Sequence, residues 1–531
     1  MMVFRKGVFR SRGDLVRKNN IAVAKIITSI IKTTYGPQGM SKLMIDNFGE
    51  IAVTNDGATI LDKMDIYHPV GKLLQDAAKT QDITVGDGTK MLVILIGELL
   101  TMAEKLLEQK IHPNVIITGY KKALEIALNR LKNIASEANL NDRNLLLNVI
   151  MTTLASKNLG YATHHIANLI VDAVLNVIEK RGEKFIVEKD NIQIVKKIGR
   201  SLMESKLIKG AIIEKEVVHD GMPKRIENAR ILIINIPIKI QRFELPFSSS
   251  AKIDIKDPLK VPQFLNEEDR IIKEIIDKIT AVGANVVLSS RDINDVAQFF
   301  MAKAGILGVK RIKRQDIEKI AKATGAKIVT DLDDLNEKAL GKATLVEERK
   351  IGKDKMVFIE GCNNPKSVSI FLRAGLEKQL DDAERALNDA IMAVKCLINS
   401  MKYVPGGGAT EEELALSIRK EGVKYPGKIQ LAILAFADAL ESIPKILAEN
   451  SGIEPIEIIS ELRAKHENGQ FSYGINVFSK KVEDMFKLGI LEPLDIKENA
   501  LKSSFETTNM ILRIDDITDR RRRKYIIKKQ K

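Results

Sequence analysis

The sequence predicts a multi-domain protein of mixed α and α/β class, with helical regions at both chain ends and an alternating strand and helix region between them. Three observations predict it. A chain of 531 residues exceeds what one hydrophobic core organises, and about one domain per 150 residues suggests three or four. Apolar residues near both ends recur at helical spacing. In the middle, short apolar runs alternate with amphipathic ones, the grammar of a parallel sheet covered by helices.

Val23, Ile26, Ile27, Ile30 and Ile31 lie on one face of a helix predicted over Asp14 to Thr34, which Gly36-Pro37 stops. A short strand, Ile51 to Thr54, leads into Asn55-Asp56-Gly57. The loop Gly86 to Gly88 opens a helix to about Gln109, apolar on almost every side around Met91 to Ile96 and hence deeply buried. The middle region reads as strand Ile231 to Asn235, helix Asn266 to Ala281, strand Asn285 to Ser289, helix Asp292 to Ala304, strand Gly308 to Ile312, helix Asp316 to Thr324 and strand Lys327 to Thr330. No GxGxxG follows its first strand, so it lacks the dinucleotide fingerprint. Gln241 to Leu265 is too long for an ordinary connection and carries Phe243, Leu245, Phe247 and Phe264, as either a satellite core or an exposed contact surface. Helices return over Asp381 to Met401, Thr410 to Lys420, Lys428 to Glu449 and Glu454 to Lys465, with Gly406 to Gly408 ahead of the second.

Hydrophobic content of 45% with 29% charged residues belongs to a globular protein. The longest apolar stretch, Met91 to Ile96, falls far short of the roughly 20 residues a membrane span needs. Met1 to Arg12 shows no secretory signal, and two cysteines, Cys362 and Cys396, make no disulfide framework, so a cytoplasmic location is expected. Six scattered histidines offer no metal-ligand spacing. The net charge of +14 raises the question of nucleic acid, yet Arg520 to Lys531 holds eight basic residues and no acidic one. That arm reads as a solvated tail or as a tail with an acidic partner.

Gly86-Asp87-Gly88-Thr89 at a helix start offers backbone N–H groups and a positive helix end to phosphate. A carboxylate there repels a bare phosphate, so Asp87 either sits beside nucleotide through Mg²⁺ or helps to cap the helix. Asn55-Asp56-Gly57 alone reads as a turn. Thr410 and Glu413 have the spacing of a capping box, and Glu411 to Glu413 crowd one helix end with carboxylates. Gly406 to Gly408 therefore suits a neutral base or ribose better than triphosphate. Asp389 lies off the stripe formed by Leu387, Ala390, Ile391, Val394 and Leu397, and periodicity alone makes it a solvated carboxylate.

Taken together, Thr34-Tyr35-Gly36-Pro37-Gln38-Gly39-Met40, Thr54 to Leu61, Gly86 to Thr89 and Gly406-Gly407-Gly408-Ala409 resemble the signature of the group II chaperonins. Val217 to Arg225, Asp354 to Phe358, Gly489 to Pro493 and Met510 to Asp516 extend the resemblance over nearly the whole chain, with archaeal thermosome subunits the nearer match. It implies a mostly helical equatorial ATPase domain from 1–141 and 399–531, with the basic tail 520–531. An intermediate hinge domain would come from 142–211 and 364–398. An α/β apical domain would span 212–363, with a helical lid protrusion at about 241–275.

The resemblance also implies ATP and Mg²⁺ as cofactors. By position, Asp87 matches the metal ligand, Gly86, Gly88 and Thr89 the phosphate cradle, and Asp56 and Asp389 the catalytic carboxylates that orient or activate water. Lys157 matches a sensor of the γ-phosphate, Gly36, Pro37, Gly407 and Glu492 fall where base and ribose are held, and Thr34 belongs to the nucleotide-binding set. The implied function is ATP-dependent folding of unfolded or partly folded clients in a double ring of identical or paralogous subunits. No membrane span and no specific nucleic acid are expected.

Departures from the family pattern are Lys90 in place of threonine, Met91, Gln38, Pro405 and Asn476. An ammonium at Lys90 adds attraction for phosphate without necessarily speeding hydrolysis, which predicts a divergent subunit of weak or altered ATPase in a mixed ring. Two rival readings remain open. A small-molecule kinase or lone ATPase predicts a compact monomer, and a nucleic-acid binder predicts salt-sensitive binding lost with the basic tail.

Overall fold

The computed structural model describes residues 9–519 except 46–48, 50, 183, 239–260 and 364. The segment predicted as a long loop and lid falls largely outside these residues, as does the basic tail. The chain divides into two compact units, one built from 1–167 with 385–531 and the other from 168–384.

In the first unit, helix Thr89–Glu108 lies at the centre because it has no polar face to give to water. Every residue from Thr89 to Leu100 is buried. Around it pack the helices Asp14–Lys32, Pro69–Val85, Pro113–Ile134, Lys428–Asn450 and Leu494–Arg513. Tyr120 and Phe436 meet edge to face at 5.6 Å, and the Tyr120 hydroxyl donates to the Leu99 carbonyl at 2.8 Å. Gly97 allows the closest helix approach, since a Cβ there would stand 2.1 Å from Thr28 Oγ1. A three-stranded sheet holds Lys402–Pro405 between Leu491–Pro493 and Ser136–Glu137, pairing Val404 with Glu492.

The middle region forms the second unit, with a sheet that is mixed rather than wholly parallel. Leu307–Val309, Val286–Ser289 and Arg225–Ile234 run parallel, and Ile328–Val329 joins the last of these at its C-terminal end. On the other side Gly341–Ile351, Asp354–Glu360 and Ala211–Ile213 continue it antiparallel. Gly341–Ile351 and Asp354–Glu360 make a hairpin, which needs no crossover helix and so leaves no alternation to read. Helices Val261–Ala281, Asp295–Lys303 and Arg314–Thr324 follow strands of the parallel half, and Ile276, Ile279, Ala297, Met301, Ile317 and Ile320 share one apolar core with that sheet. A smaller sheet joins Val368–Ala374 to Ile192–Ile198 and Lys206–Ile208. Among the described residues, no helix is long and apolar enough to cross a membrane.

Candidate nucleotide site

All the predicted site residues lie in the first unit, where the glycine loops end or begin its helices. Helix Pro69–Val85 is capped by Gly86 at φ 75°, and helix Thr89–Glu108 starts at Gly88 at φ 78°. Both values lie in the left-handed region that glycine enters at little cost. No side chain caps the second helix, so its first amides are open to an anion. Asp87 therefore is not a helix cap in the usual sense. Its Oδ1 accepts from the Gly88 amide at 2.7 Å, and its second oxygen has no hydrogen-bond partner among the described residues. Gln81, buried, steadies this turn by donating to the Asp87 carbonyl at 2.9 Å while its own oxygen accepts from Asn499 at 2.7 Å.

Asp389 corrects the periodicity reading. It is 8% exposed, on helix Glu377–Ser400, beside Met392 and Cys396 at i, i+3 and i+7. Met392 packs so tightly on the Gly86–Gly88 loop that a Cβ at Gly86 would stand 2.2 Å from its own Cβ. Cys396 reaches the Val85 carbonyl at 3.6 Å. The helix thus has two packed faces, the apolar stripe and a second face turned to the loop. A single-stripe rule could not show the second.

Lys157, which follows helix Arg143–Ala155, bridges two carboxylates. Its Nζ lies 2.5 Å from Asp389 Oδ2 and 3.6 Å from Asp56 Oδ1. Asp56 caps helix Gly57–Lys63, accepting from the Thr59 amide at 2.9 Å and hydroxyl at 2.8 Å. Burial opposes ionisation of Asp56, but Lys157 and the two Thr59 donors outweigh it and hold the carboxyl below the usual range. At Asp389 burial dominates, and with the charges of Asp56 and Asp87 it pushes the carboxyl up to about 7 despite Lys157. Burial disfavours the Lys157 cation too, yet Asp389, Asp56 and Asp87 keep it above its ordinary value.

Thr34 is buried at the end of helix Asp14–Lys32, its hydroxyl donating to the Ile31 carbonyl at 2.7 Å. Gly36, at φ 83°, lies against Leu447, and Asn450 donates to the Lys32 and Tyr35 carbonyls at 2.8 Å each, which holds the Gly36-Pro37 turn. Lys90 turns inward from the first turn of its helix. Burial and repulsion from Lys157 bring it down to about 8, while Asp56, Asp87 and Asp389 offset part of the shift.

At the third loop, Gly407 and Gly408 have φ 63° and 78°, and a Cβ on Gly406 would stand 3.0 Å from Glu492 Oε1. The predicted capping box is absent: Gly408 is the helix cap and the Thr410 hydroxyl donates back to the Pro405 carbonyl at 2.7 Å. The three glutamates are instead buried and partly paired. Glu413 meets Arg130 and His466, and Glu411 meets Lys497 at 2.5 Å. Lys497, also 2.7 Å from Glu492, is held well above its ordinary value because the two carboxylates overcome burial. Loss of hydration raises Glu492, as do Glu411 and Asp87, with Lys497 opposing.

Glu412 is fully buried with neither oxygen hydrogen-bonded among the described residues, and Arg463 stays 3.9 Å away. Burial and Glu441 push it up to about 7, against His466, Arg419 and Arg463. The folded state therefore retains this proton where the unfolded chain, near 4.3, has lost it. Stability is lost as pH rises from about 4.3 through 7. Glu412→Gln is expected to unfold at higher urea at pH 8, with a gain of about 2 kcal/mol, and to match the parent near pH 4.

The structure gathers Asp56, Asp87, Lys90, Lys157 and Asp389 into one charge cluster, and Glu492 with the third loop into another that Asp87 also influences. Sequence reasoning missed Gln81, Asn55, Asn450, Glu411 as a partner, and Lys497, since no local pattern marks a buried polar residue whose partners come from other segments of the chain. Among the described residues, no group of three or more His, Cys, Asp or Glu could hold a metal by itself.

The TCP-1/cpn60 chaperonin family matches residues 27–522. The chain is 49% identical over 518 residues to thermosome subunit beta of Saccharolobus shibatae, covering 97% of this chain and 93% of that protein. It is 47% identical over 517 residues to thermosome subunit alpha of Archaeoglobus fulgidus, and 46% over 517 residues to the thermosome subunit of Methanopyrus kandleri. Each of these covers 97% of this chain and 94% of the relative.

Proposed function

The chain belongs to the TCP-1/cpn60 chaperonin family, and from that premise we propose that it is an ATP-hydrolysing subunit of a ring chaperonin whose cradle is the loop cluster described above. The observation that carries this reading is the ion-paired cluster of Asp56, Lys157 and Asp389, with Gly57 next to Asp56 packed on Thr89 and Lys90 at the uncapped start of helix Thr89–Glu108. The open amides of that start receive phosphate, Gly36, Pro37, Gly407 and Glu492 receive base and ribose, and Thr34 belongs to the same nucleotide-binding set. The free oxygen of Asp87 suits Mg²⁺, a hard cation bound by one or two carboxylates together with phosphates and water. The ion would neutralise charge on the phosphates.

Without nucleotide, Lys157 holds Asp389 and Asp56 together. A terminal phosphate gives its ammonium a new partner and releases Asp389 to take a proton from the attacking water as the phosphate-to-ADP oxygen bond breaks. Asp56 stays ionised and orients that water.

Domain roles follow the same reading: equatorial for 1–141 and 399–531, intermediate for 142–211 and 364–398, apical for 212–363. Contacts made by Asp389 and Lys157 only in a closed state would shift the ring towards closure around an unfolded client, and a shift from 1:99 to 99:1 takes about 5.5 kcal/mol. Sister subunits, identical or paralogous, complete the double ring. The two cysteines are free and buried, which accords with a cytoplasmic, reducing setting.

Lys90 deepens the bound ground state, and only interactions that strengthen in the transition state raise the rate. Turnover is accordingly weak, and Lys90→Thr is expected to raise kcat about threefold. Negative-stain imaging and steady-state ATPase assays of the purified chain, alone and with sister subunits, test the whole reading. Ring particles that hydrolyse ATP support it. A compact monomeric ATPase overturns the chaperonin assignment, and equal turnover of parent and Lys90→Thr overturns the assignment of Lys90.

A further inference from the structure

We propose that Lys90 and Asn55 form a positioning pair that assembles the nucleotide cradle before nucleotide arrives. The inference rests on the nucleotide reading of the site. Lys90 Nζ donates to the Thr34 carbonyl at 3.0 Å and to Asn55 Oδ1 at 2.9 Å. Asn55 Nδ2 in turn donates to the Gly39 carbonyl at 3.3 Å and the Ser156 carbonyl at 3.2 Å. Two side chains therefore tie four separate segments: both ends of the first glycine loop, the strand end before Asp56, the head of the phosphate helix, and the residue preceding Lys157.

Packing restricts the pair to this arrangement. Lys90 is 8% exposed, and its stem runs so close to the next helix that a Cβ on Gly57 would stand 2.8 Å from Lys90 Cγ. The charges that influence its ammonium are Lys157, Asp56, Asp87 and Asp389. An ammonium has three N–H groups, and two are spent on protein oxygens, so the third remains for a phosphate oxygen. Lys90 thus does more than attract phosphate. It fixes the backbone around the place where phosphate binds, and ordering already present in the empty protein need not be supplied by the ligand. A threonine at this position has too short a side chain to span both acceptors.

The test uses the assembled full-length protein, its Lys90→Met and Asn55→Ala variants, and the double variant. Hydrogen exchange without nucleotide is expected to quicken about tenfold at residues 34–40 and 54–58 in Lys90→Met. In ATPase assays Lys90→Met is expected to raise KM for ATP about tenfold while kcat rises, with Asn55→Ala adding little to it. A lysine acting only as a charge on phosphate predicts unchanged exchange and independent effects of the two substitutions, and either result overturns the pair. A kcat that falls with KM unchanged overturns it as well. Should Asn55→Ala fail to assemble, Asn55→Asp replaces it, keeping the acceptor for Lys90 and losing both donors. Exchange must then quicken at residues 39 and 156. Failure of the nucleotide reading is seen separately, as a parent protein that does not bind ATP.

Discussion

Asp389→Asn is expected to hydrolyse ATP about 100- to 10,000-fold more slowly than the parent, because on the proposed reading it removes the carboxylate that takes the water proton. The substitution keeps the volume of the side chain and an oxygen for Lys157, so the packing of Met392 on Gly86 should survive. Nucleotide binding is the control: it should change by less than about threefold, since the loss falls on the transition state. The parent should also show an acid limb. Only the ionised carboxylate accepts the proton, and burial places Asp389 at about 7, so activity falls as pH drops below that value. An Asp389→Asn variant of near-parental rate would assign the proton transfer elsewhere, with Asp56 the remaining carboxylate beside Lys157.

Lys497→Met is expected to cost about 3–5 kcal/mol, because it leaves two carboxylates of the third loop without their cation. Glu411 is fully buried and has one oxygen without a partner even in the parent, so it has no second donor to turn to. The cost depends on pH. In the variant Glu492, already raised by burial and now without Lys497, resists ionisation in the folded state and ionises freely when unfolded, so the penalty grows as pH rises above about 4.3. Lys497 in the parent is raised, so its own contribution is fully present below about 10.4 and is lost only above that. Urea unfolding of parent and variant at pH 7.5 and pH 4 measures the difference. It should be large at the first and small at the second, and a shift independent of pH would mean that lost packing, not unpaired charge, is the cause.

Helix Thr89–Glu108 and its burial were legible from composition alone, because a run of apolar residues on every side has no stable home except a core. Helix Asp14–Lys32 was legible for the same reason, from one stripe. The antiparallel half of the middle sheet was not, since a hairpin carries no long-range order in its local pattern. At the site, the glycine loop Gly86 to Gly88 could be read as a place that opens backbone amides, and the order of the loops along the chain carried the family resemblance. The capping box at Thr410 could be read as well, and wrongly. A helix start at Gly408 moved the register by two residues and freed the glutamates for buried pairing.

By itself, then, the sequence determined some of the helices, among them Asp14–Lys32 and Thr89–Glu108, where the glycine loops fall, and which family's motifs it carries. These are properties of short stretches, set by side-chain periodicity and by the φ values that glycine and proline permit. Only the tertiary structure decided that Asp389 is buried against Lys157, that Lys497 is the cation of a carboxylate pair, and that Lys90 reaches Thr34 and Asn55. Each of these depends on desolvation and on charge placed by residues far away in the chain, and neither quantity has a local signature.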